Sequence, residues 1–556
     1  MDSAAREARH MARERDTDES KCLMVLLPPE TKMQIVSHIS TQESISYLGQ
    51  SCRAWHEVAN EELYKRDSRE KNSFAIKWMA AHAVDEQRTD SAIRTIEISR
   101  RWGGQIDAIK RPLSRSDRAR SDSKDKMMYD DSTALHFAII LGNMHLTETL
   151  LEMGASLKTH CSPLLWESLD SKELMARLNY FHSIFEEYEF FLSGVFPILL
   201  AFLQSDSDMC QLLVDHGAGR EAMTVYSHGH SKVMSILHFA AADCTTDHRQ
   251  WQCLFDGFRE YIDEPCPRSS KCTPLHVALE NGCTQGMQIA VECGADKESI
   301  NGYQYTPLAM AILRFPVHII QDPKRFEEHV MCFRKFVDLG GSVNPEGDSL
   351  LALAVQLFAS GPSEYSHMKQ LIYFLLEHHA DVDGTILEPH TNVVNELIDG
   401  ILYDPDDTGA QETFKEVLSE LVDKGLNLKK PARGLPSPLC CALDSDTAEP
   451  KWLLDFLCKN GATIHEEEAD SAFLRWCQLP RLWATNKYNA WWQHQGQEDE
   501  IFLKWCEHPY NAWWWQHVKQ ISPSAVTPAY RLASKKSRQL HDILTHLPLS
   551  APVDSS

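Results

Sequence analysis

Three stretches of the chain share one internal offset, and that offset limits the possible folds more than any other feature. Aligned on Ala134, Pro197 and Pro274, each reaches a Gly-Ala pair, at Gly154, Gly217 and Gly294, after the same twenty-residue step. The third copy, CTPLHVALENGCTQGMQIAVECGADK from Cys272, is the clearest. Thr273 is placed to cap a helix with its hydroxyl, and Pro274 follows at the first helical position, where a missing N–H costs nothing. Leu275, Val277, Ala278 and Leu279 line an apolar face, and Asn281-Gly282 stops the helix, because glycine tolerates a left-handed turn. A second apolar helix carries Met287, Ile289, Ala290 and Val291, and Gly294 closes it. Two short helices cannot bury their faces alone, so such units must stack on one another.

The stretch Thr273-Pro274-Leu275-His276 with the late Gly294-Ala295-Asp296 resembles the ankyrin repeat. Looser copies begin at Ser235, Tyr305, Asp348, Thr391 and Ser437, and a worn one begins at Ser73. With the copies at Ser132 and Phe196 this makes eight units and a possible ninth. The resemblance implies structural roles for Thr133, Leu135, His136, Gly154, His238, Thr273, Pro274, Leu275, His276 and Gly294. It also implies that the three histidines bond backbone between units rather than hold a metal or a proton for catalysis. From Pro307 to Gly340 the step is 33 residues instead of twenty. The excess is expected between the two helices, where it either shapes a partner site or is drift.

In front of the array, LLPPETKMQIVSHISTQESISYLGQSCRAWHEVANEELYKRD (residues 26–67) reads as three short amphipathic helices. Prolines and an early Glu open the first, with Ile35, Val36 and Ile39 on one stripe. Thr41 can cap the second, which carries Ile45 and Leu48, and the third places Trp55, Val58, Ala59 and Leu63 on one side. This stretch resembles an F-box. Leu27-Pro28-Pro29-Glu30, the Ile35/Ile39 pair, Cys52-Arg53-Ala54-Trp55 and the closing LYKRD carry the likeness, whereas Ser44 and Ser46 depart from the usual apolar pattern. The stretch and its junction with the repeats are similar to fungal F-box–ankyrin proteins, and the resemblance implies docking to the linker subunit of a cullin–RING (SCF-type) ubiquitin ligase. Leu27, Pro28, Ile35, Ile39, Leu48 and Trp55 would form the docking face. The other reading of the same helices is a cap on the first repeat.

Two further segments stand apart. KRPLSRSDRARSDSKDK, residues 110–126, has seven Lys/Arg, three Asp and four Ser. So little apolar surface predicts a disordered insert over about 110–130. Ser114 and Ser121 each follow an Arg by three residues, as basophilic kinases prefer, so the insert is either regulatory or nuclear-targeting, or a plain solvated loop. Near the C-terminus, FLRWCQLPRLWATNKYNAWWQH and FLKWCEHPYNAWWWQH repeat one pattern and hold eight of the 14 tryptophans. Phe, Trp and Cys at i, i+3 and i+4 share a helical face. The segment is expected to be helical and to cover the open end of the last repeat or a partner; a stacking platform for bases or sugars is the alternative.

The implied organisation is a disordered tail at 1–21, the helical module at 22–67, the array at 68–466, and the tryptophan-rich cap and tail at 467–556. The expected fold is all-α: an ankyrin-repeat solenoid between those two helical ends. A net charge of −24 weighs against direct nucleic-acid binding. No apolar run is long enough to span a membrane, and the polar N-terminus is not a secretory signal. The 16 cysteines contain no Cys-x-x-Cys pair and read as reduced and mostly buried. These features predict a cytoplasmic or nuclear protein without cofactor, metal or catalytic constellation. The expected function is a non-enzymatic adaptor whose repeats bind a protein partner, probing one of two classes: a ligase substrate receptor, or a transcription coregulator or scaffold acting by protein contact. Residues 1–20, with four Arg against six Asp/Glu, lack the pattern of a DNA-contacting basic region.

Overall fold

The computed structural model describes residues 24–109, 129, 131–161, 172–184, 192–219, 224–227, 230–244, 248–266, 271–315, 322–360, 368–387, 390–403, 407–429, 435–443 and 451–462. The N-terminal tail, the basic insert with Ser114 and Ser121, and the tryptophan-rich segment lie outside them. The chain divides into two compact units, residues 1–274 with 292–294, and residues 275–291 with 295–556.

The first unit opens with three helices. α1 (Pro29–His38) starts on Pro29, with Glu30 in its first turn. Thr41 accepts the Ser44 N–H at 3.2 Å and so starts α2 (Gln42–Ser51). α3 (Arg53–Glu70) runs three residues beyond the boundary expected at 67. Val36, Ile45, Trp55 and Ala59 form the core of this module. Gly49 lets α2 approach α3 closely, since a Cβ there would meet the Ala59 Cβ at 3.0 Å.

The repeats follow as helix pairs, the worn copy among them: α4 (Phe74–Ala81) with α5 (Glu86–Arg101), then α6 (Ala134–Ile140) with α7 (Met144–Glu152). After α7 comes a helix outside the repeat pattern, α8 (Lys172–Ile184), and a short strand β1 (Leu192–Gly194). α9 (Pro197–Leu203) with α10 (Ser207–Asp215) is the next pair. A hairpin of β2 (Thr224–Ser227) and β3 (His230–Ser235) leads into α11 (Ile236–Ala242), which pairs with α12 (Gln252–Gly257). The three strands make an antiparallel sheet in the order β1-β2-β3. The first helices α4, α6 and α9 pack in succession. Asn143 and Asp206 cap the second helices α7 and α10 by accepting N–H groups at 2.9 Å.

The second unit repeats the plan: α13 (Pro274–Glu280) and α14 (Thr284–Glu292), α15 (Pro307–Leu313) and α16 (Pro323–Asp338), α17 (Leu350–Ala359) and α18 (Met368–Glu377). A two-stranded ladder of β4 (Thr385–Ile386) and β5 (Thr391–Asn392) precedes α19 (Val393–Tyr403) and α20 (Thr408–Asp423). α21 (Pro438–Leu443) and α22 (Lys451–Lys459) form the last described pair. Here α15, α17, α19 and α21 pack in succession. Nine helix pairs are thus described, in an array of ankyrin type.

One expectation needs amendment. The extra residues after Pro307 do not all form a connection, because part of them lengthens the second helix: α16 has 16 residues where α14 has nine. The fold is mostly helical, as expected, with loops of the array pairing as the two small sheets.

Candidate functional site

The repeat motif residues stand where the helix pairs need them. Thr133 and His136 form a reciprocal cap on α6: the Thr133 N–H donates to His136 Nδ1 at 3.2 Å, and its hydroxyl lies 2.7 Å from the same nitrogen. Ser235 and His238 do the same on α11, at 3.2 and 2.9 Å. An Nδ1 that accepts leaves Nε2 protonated and free to donate. Nε2 of His238 donates to the Cys272 carbonyl at 3.0 Å, and Nε2 of His276 to the Tyr305 carbonyl at 3.1 Å. At His136 the same nitrogen has no such partner among the described residues, although the Val195 and Thr159 carbonyls lie near the ring. Burial holds the His136 imidazole down to about 3 and that of His238 down to about 4, against an ordinary 6.5, and the neighbouring carbonyls offset only part of this. Leu135 and Leu275 are buried, as is Thr273 beside Pro274. Gly154 and Gly294 take φ of +90° and +100°, the left-handed turn that closes each unit.

In the N-terminal module, Leu27, Ile35, Ile39 and Leu48 are partly buried against the core, and Pro28 is exposed. Trp55, expected on the docking face, is only 3% exposed and sits inside the core. Its bulk fills the centre of a module too small to have another large side chain there, and the Lys32 ammonium lies over the ring at 5.8 Å. The open apolar side chains are different ones: Met24, Leu26, Met33 and Tyr47 are 49%, 69%, 39% and 64% exposed. Periodicity marked the stripe of each helix but not which residues on its rim stay in water.

Arg66, within the closing LYKRD, ties α3 to the end of α1, a role that its place in that motif did not reveal. From α3 it donates to the Ile39 carbonyl at 2.6 Å and the Ser37 carbonyl at 2.9 Å, both at the end of α1, while Nε pairs with Glu62 at 2.7 Å. The end of α3 is equally tied to the first repeat. The Asp67 carboxylate accepts the Ala75 N–H at 3.1 Å, Ser68 Oγ donates to the Gly103 carbonyl at 2.6 Å, and the Lys65 ammonium lies 5.1 Å from the Trp102 ring centre. Burial raises the Asp67 carboxyl, an effect opposed by the backbone N–H groups of Ala75 and Phe74. Among the described residues no group of three or more His, Cys, Asp or Glu could hold a metal ion, and no helix is long and apolar enough to cross a membrane.

Residues 24–70 match the F-box-like family model. The chain carries an F-box-like domain at its N-terminus. The match ends where α3 ends, so the family's extent and the observed helices coincide. No curated protein matches the chain. Among solved structures, the human ASB11 ankyrin repeat domain aligns with 15% identity over 51% of this chain and 98% of that one, with a TM-score of 0.31. The ankyrin repeat domain of Bcl-3, described as a unique member of the IkappaB protein family, aligns with 16% identity over 59% and 98%, with a TM-score of 0.30. At these scores the likeness has no weight of its own, and the ankyrin character rests on the helix pairs, their histidine caps and their closing glycines. The F-box-like domain and the repeats both belong to families of protein-interaction modules.

Proposed function

We propose that the chain is a non-enzymatic adaptor: its F-box-like domain docks the linker subunit of a cullin–RING ubiquitin ligase, and its repeats hold the protein to be modified. The observation that carries this is the family match at 24–70 together with Met24, Leu26, Met33 and Tyr47, four large apolar side chains that the module's own core leaves open. Apolar side chains left open in this way are what a partner surface would cover. One observation favours a second reading. α3 packs against α4 and α5, as a cap on the first repeat would, and on that reading the chain is a scaffold or coregulator without ubiquitin chemistry.

A pull-down of purified linker subunit and cullin separates the two. Wild type is compared with a Leu26→Asp/Met33→Asp variant, whose changed side chains are open and whose helix content is checked by circular dichroism. Capture by wild type and its loss in the variant supports ligase docking. Failure of wild type to capture either subunit removes that reading and leaves the scaffold.

A further inference from the structure

α8 is a foreign body in the array. It belongs to no repeat, yet it is held by a stripe of four side chains. Leu174 is buried, and the Phe181 ring, 1% exposed, stands 5.4 Å from both Phe202 on α9 and Phe239 on α11. The helix is therefore seated between the first helices of two successive repeats, whose second helices α10 and α12 pack on each other. One turn before Phe181, Arg177 enters the same cleft. Its guanidinium lies 5.0 Å from the Phe202 ring centre and 5.5 Å from that of Trp251, and it donates to Asp243 Oδ2 at 2.6 Å. The Asp243 side chain has no exposure and also accepts the Trp251 indole N–H at 2.8 Å. Tyr180 completes the stripe, donating to the Ala242 carbonyl and accepting the Cys244 N–H, each at 3.1 Å. The opposite side of α8, with Lys172, Glu173, Met175, Ala176 and Asn179, is exposed.

A carboxylate at the floor and aromatic walls are the chemistry that selects a guanidinium, by a charge-assisted bond and by stacking. An apolar side chain would fill such a space at no loss of stability, so a buried ion pair here points to recognition of register and partner rather than to strength. We propose that the cleft lined by Phe202, Phe239, Asp243 and Trp251 is a helix-recognition site. α8 fills it in cis, and a partner helix with the same chemistry, an arginine with a phenylalanine four residues later, enters it in trans by displacing α8. The array then carries its own competitor. A tethered helix acts at an effective concentration of about 1 mM, so a free helix of intrinsic Kd about 10 μM binds wild type roughly a hundredfold more weakly than a chain whose cleft is empty. The site is independent of whether the F-box-like domain docks a ligase.

The test uses the full chain and a fluorescent peptide of residues 172–184. An Arg177→Ala/Phe181→Ala chain is expected to bind the peptide in fluorescence anisotropy about a hundredfold more tightly than wild type does. Adding Asp243→Asn to that chain is expected to abolish the gain. A double variant with native circular dichroism that does not bind the peptide overturns the proposal. Hydrogen exchange of wild type decides the matter even if the variants fail to fold. The α8 amides must exchange through an opening that leaves α9 and α11 protected; exchange only together with α9 and α11 makes α8 a fixed part of the core and overturns it.

Discussion

Replacing Arg66 by Ala should open the end of α1 while leaving the open side chains of Met24, Leu26, Met33 and Tyr47 unchanged. The carbonyls of Ser37 and Ile39 close α1, where no further helical N–H can reach them. Arg66 satisfies both, at 2.9 and 2.6 Å, from a side chain only 12% exposed. A hydrogen bond from a charged donor contributes about 1.5–3 kcal/mol, and a cation at a helix C-terminus about 0.3–1 kcal/mol. Water reaches this partly open site once the guanidinium is gone and recovers much of that sum, so the net loss is about 2 kcal/mol. That corresponds to a roughly 30-fold fall in the protection of the α1 and α2 amides against hydrogen exchange, since local opening governs their exchange. Amides of α6 and α9 should keep theirs. Arg66→Lys should recover only part of the loss, because one ammonium cannot span acceptors that a planar fork reaches together. Protection of α1 within about twofold of wild type in the alanine variant would refute the assignment of Arg66 as the clasp of the module.

The first unit should lose stability as pH falls from about 6.5 towards about 4, because His136 and His238 take up protons at 6.5 when unfolded but only near 3 and 4 when folded. Two protons give a slope of at most about 3 kcal/mol per pH unit near pH 5, opposed by the raised carboxyls of Asp67 and Asp107; urea midpoints should show a shallower slope when either histidine is Gln. Gly400→Ala should destabilise the second unit even though alanine gains about 1 kcal/mol of helix propensity. A Cβ there would lie 2.6 Å from the Ala359 Cβ and 2.9 Å from its Cα, so α19 must move off α17 at a cost of about 1–3 kcal/mol. A rise in the thermal midpoint of that variant would contradict the close approach.

The array was legible because its signals are local. A cap, an apolar face and a left-handed closing residue fall within one unit, and the offset repeats them. His379 shows the limit: it takes φ +61° at the position where other units have glycine, so neighbouring structure holds a non-glycine residue in the turn. Lys77 shows another. It reads as a polar side chain on a short helix, yet it is 1% exposed and donates to the Tyr129 carbonyl at 2.7 Å, a partner 52 residues away. α8 was illegible for the same reason. Its stripe is short, and the carboxylate that explains Arg177 lies 66 residues further on. In the F-box-like domain the helices and their stripes could be read, but the burial of Trp55 depends on how three helices close around it.

The junction after α3 bears on both functional readings. Asn72 and Ser73 both have φ of +54°, two left-handed residues in succession without a glycine. Each costs about 1–2 kcal/mol relative to ordinary backbone, so a connection needing only reach would have no reason to retain them. They persist because the bend is pinned on every side. The Asp67 carbonyl accepts the Lys71 and Ser73 N–H groups at 3.0 and 3.1 Å, and its carboxylate takes that of Ala75. Ser73 Oγ accepts the Gln105 N–H at 3.0 Å. A bend held this way sets the angle between α3 and α4 instead of leaving it free. Since α3 is also the longest helix of the F-box-like domain and packs on α5, the domain and the first helix pair form one body. The cap and the docking module are therefore one structure seen from two sides. If a ligase docks there, whatever is held on α4 to α7 is presented at a set direction from it.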